Sequence, residues 1–94
     1  MASTRRQKIY EMLKFEEWSI DDLRHEVGIT VKILEEDLHH IERSARAIGA
    51  VLHMRAAICR GCGFKFTRGA LHPPGRCPKC RESHIDGPWV KITA

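Results

Sequence analysis

Cys59-Arg60-Gly61-Cys62-Gly63-Phe64 and Cys77-Pro78-Lys79-Cys80-Arg81, with fourteen residues between Cys62 and Cys77, decide how the second half of this chain folds. Two residues between paired thiols let one tight turn aim both sulfurs at a single ion, and a second such turn completes a tetrahedron. Gly63 falls where a turn often calls for positive φ, and Pro78 stiffens the second turn. Cys59, Cys62, Cys77 and Cys80 are therefore expected to hold one structural zinc ion. The competing use of four cysteines, as disulfides, belongs to secreted chains. Met1-Ala2-Ser3-Thr4-Arg5-Arg6 lacks the apolar run of a signal peptide, and no stretch approaches the length of a membrane span. The expectation is a soluble, cytoplasmic protein with no membrane partner.

Ninety-four residues suit one small domain with a metal-stapled appendage, because so short a C-terminal half buries too little to fold alone. The net charge of +4 is segregated. From Ile9 to Glu42 there are ten acidic residues against Lys14, Arg24 and Lys32, whereas from Arg43 to Arg81 there are nine Lys or Arg and no acid. Four thiolates on a divalent ion remove part of that surplus and leave the rest. Such asymmetry points to an anionic partner for the C-terminal half, solubility being the plainer explanation.

Working outward from the cysteines, the period of the apolar residues defines the remaining elements. Thr4 with Gln7 has the form of a capping box, and Ile9, Met12 and Leu13 share a face, with Tyr10 at its edge, over a helix from Arg5 to Phe15. Ser19 is placed to cap a second helix carrying Ile20, Leu23 and Val27, with Gly28 as its C-terminal stop and Ile29 plugging the core from the turn. Thr30 is placed to cap a third, whose stripe runs Leu34, Leu38, Ile41, Ala45 and Ile48 before Gly49. The period then becomes alternating: Leu52, Met54, Ala56 and Ile58 face one way in a strand that runs straight into the first knuckle. Pro88 restarts the chain, and Val90 and Ile92 alternate with Trp89, Lys91 and Thr93 in a final strand expected to pair antiparallel with the first. Ser19 to Thr30, continuing through Leu34, Leu38 and Ile41, reads as a helix-turn-helix. The fold class expected is α+β: a winged helix-turn-helix of three helices plus a β-hairpin, with a zinc ribbon inserted at the wing. Residues 1–58, completed by 88–94, would form the helical core, and 59–87 the ribbon.

The residues that carry this pattern resemble a family. Thr4-Arg5-Arg6, Ser19 to Ile29, Glu36-Asp37-Leu38, Cys59 to Phe64, Arg76-Cys77-Pro78-Lys79-Cys80 and Ile85 to Ile92 are similar to small archaeal-type proteins in which a winged helix carries a rubredoxin-like zinc ribbon, a family predicted to regulate transcription. The resemblance implies binding to duplex DNA. Rubredoxin itself holds iron on four thiolates, so iron is a conceivable substitute. Arg81 stands where rubredoxin-type sites usually have glycine, which favours zinc.

Candidate nucleic-acid contacts follow from charge and place. Opposite the apolar stripe of the third helix lie Lys32, His39 and Arg43, candidates for the groove, with Glu35, Glu36 and Asp37 in its opening turns opposing phosphate approach. Around the knuckles, Arg60, Lys65, Arg68, Arg76 and Lys79 are candidates for phosphate contact. Phe64 and Phe66 alternate with Lys65 and would either stack on bases or, the favoured reading, cover the metal site. Two other partners stay open: a basic protein on the acidic N-terminal half, and RNA or single strands on the ribbon. Trp18 and Trp89 are core anchors or interface residues, and self-association would use the first helix with the final strand. His39 and His40 diverge on a helix, and His25, His53 and His84 are isolated, so a second metal site is not expected. Catalysis is not expected either, since a four-thiolate zinc has no open position to activate water.

Overall fold

Three residues explain where the second and third helices begin and what joins them. Ser19 Oγ accepts from the Asp22 N–H, Thr30 Oγ1 accepts from the Ile33 N–H, and Gly28 closes the intervening turn at φ 80°. In the computed structural model, which describes residues 4–66 and 75–94, these caps delimit α2 (Ile20–Val27) and α3 (Val31–Ala47). They follow α1 (Thr4–Phe15) and a two-residue strand β1 (Trp18–Ser19). The chain continues through β2 (Val51–Arg55), β3 (Ile58–Cys59), β4 (Ile85–Asp86) and β5 (Trp89–Thr93). The expected α+β class is what forms, as three helices with small sheets and a ribbon between β2 and β5.

The final strand is the centre of the larger sheet. β5 pairs antiparallel with β2 from Val51↔Thr93 to Arg55↔Trp89, and with β1 through Trp18↔Val90 and Ser19↔Trp89. Its alternation places Val90 and Ile92 in the core formed by Ile9, Tyr10 and Leu13 of α1, Ile20 and Leu23 of α2, and Leu34, Leu38, Ile41 and Ala45 of α3. α1 packs directly on β5. β2 covers one edge of β5 along its whole length, whereas β1 covers the other edge only at Trp89 and Val90.

Three expectations change, and one element is new. Thr4 already lies within α1, and Gln7 donates to Glu11 rather than reaching back, so no capping box forms. The stripe of α3 stops at Ala45: Ile48 sits beyond the last turn at φ −109° and is 72% exposed. The strand after Gly49 does not run into the knuckle. It ends at Arg55, the chain bends so that Ala57 is buried, and Ile58 pairs with Asp86 in a second sheet. β1 was not anticipated, since two residues carry no period.

Asp37 is the largest departure. It is fully buried (0% exposed), and it receives Arg5 Nε at 2.6 Å, Arg5 Nη2 at 3.0 Å and Arg6 Nε at 2.8 Å. Position 37 falls on the stripe of Leu34, Leu38 and Ile41, so the carboxylate faces α1 and ties α1 to α3. Burial alone would raise the Asp37 carboxyl, but the two guanidiniums outweigh it and hold it below the ordinary 3.8. The pair's stabilisation is thus fully present above that ordinary value and is lost as pH falls through the lower folded one. Asp37→Asn is expected to cost about 1–3 kcal/mol in urea unfolding. The double variant R5A/R6A strands a buried carboxylate and is expected to cost more. With both cations gone burial prevails, so the double variant should gain stability on mild acidification while the parent does not. Equal losses with the same pH trend would show that Asp37 is not an ionised partner.

Candidate metal centre and basic surface

The ribbon is built from two matching turns. In the first, Gly63 N–H donates to the Cys59 carbonyl at 2.9 Å; in the second, Arg81 N–H donates to the Cys77 carbonyl at 2.9 Å. Gly63 has φ 78° and Arg81 φ 64°, so both turns close through the left-handed region, the first with a glycine that pays no steric penalty there. Each turn is closed further by its own bond, Cys59 N–H to Phe64 O and Cys77 N–H to Glu82 O, and the two are linked by Arg60 N–H to His84 O and by the pairing of β3 with β4. Phe64 and Phe66 pack edge to face on each other at 5.2 Å, half-buried, which fits covering the ribbon rather than presenting rings to bases.

These turns bring all four sulfurs within 4.8 Å of one another, with Cys59 Sγ 3.5 Å from Cys80 Sγ and Cys62 Sγ 3.6 Å from Cys77 Sγ. Those separations are far longer than an S–S bond of about 2.05 Å. A tetrahedron with metal–sulfur bonds of about 2.3 Å has edges of about 3.8 Å, so the four thiols fit one tetrahedral ion. The chemistry of the donors agrees. Burial works to raise the Cys77 thiol, but the N–H groups of Cys80 and Lys79 bring it down to about 7. The Glu82 N–H favours the Cys80 thiolate, yet burial and the other three sulfurs push Cys80 up to about 12. Four sulfurs so close cannot all ionise without a cation among them. Cys59 and Cys77 are buried, while Cys62 is exposed and Cys80 borders an open cleft of about 430 Å³ with Arg60, Gly61, Glu82 and His84. Among the described residues, this is the one His, Cys, Asp or Glu group arranged to hold a metal.

Where the ribbon meets the sheet, Arg55 acts as a clamp. Its guanidinium lies 3.7 Å from the centre of the Trp89 ring and donates to both carboxylate oxygens of Glu17, at 2.8 and 3.3 Å. The hydrogen bonds from Arg55 outweigh desolvation and hold the Glu17 carboxyl below its ordinary range. The same ring leaves no room for a side chain at Gly87: a Cβ there would stand 2.5 Å from Trp89. Neither Glu17 nor Arg55 was singled out in the sequence. Their pairing joins the start of β1 to the end of β2, and no local spacing signals it.

The candidate contact residues fall into two places. Lys32, His39 and Arg43 are all exposed on α3, at helical spacing that puts them on one face, with Glu36 among them. Arg60, Lys65, Arg76 and Lys79 are exposed on the ribbon, Arg60 being tied to Asp86 at 3.3 Å. Arg68, like His72, lies outside the described residues. No described helix is long and apolar enough to cross a membrane.

Fold and site together define a small α+β protein whose antiparallel sheet carries a tetracysteine ribbon of the rubredoxin type. The chain belongs to the PF0610-like family: residues 4–53 match the model "PF0610-like, N-terminal", and residues 56–94 match the "PF0610 rubredoxin-like zinc beta-ribbon domain". The solution NMR structure of protein PF0610 from Pyrococcus furiosus is 35% identical, with 100% of this chain and 92% of that one covered at a TM-score of 0.76. No curated protein matches.

Cobalt reports the geometry of such a site directly. Titration with Co²⁺ is expected to reach one ion per chain with the visible bands of a tetrahedral tetrathiolate, and Cys59→Ser or Cys77→Ser should weaken binding and shift those bands. An octahedral spectrum, or unchanged bands in either variant, would contradict the four-sulfur site.

Proposed function

We propose that this protein is a DNA-binding transcriptional regulator, in which a winged helix docks on duplex DNA and a basic, zinc-stapled ribbon grips the phosphate backbone. What supports the winged-helix assignment is the element order α1-β1-α2-α3-β2-β5 with its sheet order β1-β5-β2. We assign the ion as zinc, on the tetrahedral thiolate set and the match of residues 56–94 to a zinc β-ribbon family. Its role is to hold the two turns at fixed positions. The four thiolates leave no open coordination position, so the ion itself has no place to activate water.

The observation that carries this proposal is how the cations are sorted. Arg5, Arg6, Arg24, Arg46 and Arg55 of the helical half are engaged in ion pairs. Lys32 and Arg43 on α3, and Lys65, Arg76 and Lys79 on the ribbon, are exposed and have no ion-pair partner among the described residues, as is also true of Lys8 and Lys14 on α1, so the arginines of the helical half other than Arg43 are paired and its lysines are not. Burial of Asp37 also removes one of the three acids that would oppose phosphate at the start of α3. Glu36, exposed between Lys32 and Arg43, favours a second use of the same face, as a site for a basic protein partner.

Anisotropy of labelled duplex DNA with the zinc-loaded protein across a salt series separates these uses. Duplex should be preferred over single strands, with log affinity falling linearly against log salt. The variants R76Q/K79Q and K32Q/R43Q should each flatten that slope by about 1.8, the equivalent of two phosphate contacts. No binding at low salt would reject DNA as the partner, and an unchanged slope for one pair would remove that pair from the contact.

A further inference from the structure

Arg81 is the one residue other than glycine with positive φ among the described residues. It occupies, in the second turn, the position that Gly63 occupies in the first, with the same N–H to carbonyl bond. The backbone there asks for glycine, since an L side chain in the left-handed region meets its own carbonyl. The turn therefore does not explain the arginine, and strain of this kind persists where the side chain has a use. Arg81 is exposed and, among the described residues, has no ion-pair partner, whereas Arg60 beside the other turn is tied to Asp86. Exposed Arg76 and Lys79 belong to the same short segment.

We propose that Arg81 is a phosphate-contacting residue of the ribbon, held at the tip of the second turn at the expense of backbone comfort so that its guanidinium meets a backbone phosphate of duplex DNA. This rests on the DNA-binding function proposed above. Guanidinium is the cation suited to the task, because its fork matches two phosphate oxygens. The alternative role is compensation of the negative charge on the four thiolates, which predicts an effect on the metal and none on DNA.

The test uses the full metal-loaded chain and the variants R81G and R81K, with labelled mixed-sequence duplex across a KCl series, thermal unfolding, and the rate of metal release to a chelator. R81G is expected to melt no lower than the parent and to release metal at the same rate. It should bind duplex about eightfold more weakly at 0.1 M salt, with a slope shallower by about 0.9, the loss of one phosphate contact. R81K should recover part of the affinity. If R81G binds like the parent while R76Q/K79Q binds more weakly, Arg81 makes no contact and the ribbon still does. If the parent itself ignores duplex, both proposals fall together. Faster metal release by R81G, with affinity restored by excess zinc, would assign the residue to charge compensation and overturn the phosphate role.

Discussion

The antiparallel pairing of β2 with β5 is the constraint on which both halves of the molecule rest. β5 supplies Val90 and Ile92 to the helical core, yet it reaches that core only after the chain has passed through the whole ribbon. The ends of the ribbon are in turn the ends of this ladder: Arg55↔Trp89 is its last pair, and Ile58↔Asp86 opens the second sheet. A ribbon closed by a metal presents β5 to β2 as though across a short connection. An open one would have to close the intervening loop against chain entropy, at a cost of roughly 3 kcal/mol for a loop of this length. Metal and core therefore stabilise each other without touching.

Charge is organised around the same frame. The cations of the helical half hold the architecture: Arg5 and Arg6 neutralise a carboxylate buried between α1 and α3, and Arg55 bridges Glu17 and Trp89 where the sheet gives way to the ribbon. Arg55, the last residue of β2, thereby ties the starts of β1 and β5 together at the point where the ribbon leaves the sheet. The cations left without partners lie chiefly on α3 and around the knuckles. A +4 chain thus concentrates its unneutralised charge far more than its total suggests.

What could be foreseen in the sequence was whatever depends on spacing within a few residues. The cysteine pairs, the caps Ser19 and Thr30, the glycine stop at Gly28 and the alternation of Val90 and Ile92 are all local, and all four sulfurs do converge. What could not be foreseen depends on partners distant in the chain. Asp37 counts as polar in any hydrophobic pattern, although its register with Leu34 and Ile41 placed it on the inner face and Arg5-Arg6 stood ready to neutralise it. The alternation of Leu52, Met54, Ala56 and Ile58 continues through a bend that only the second sheet imposes. Ile48 kept the stripe's spacing beyond the point where the helix ends.

Native-state hydrogen exchange, residue by residue, on the metal-loaded and metal-stripped chain tests the coupling through the β2–β5 ladder most directly. In the loaded protein the ladder amides should be among the best protected. On stripping, the amides of Cys59, Gly63, Cys77 and Arg81 should lose protection, and the ladder should lose about a hundredfold while α1 and α3 stay folded. A ladder whose protection is unchanged by metal removal would contradict the mutual stabilisation of core and ribbon.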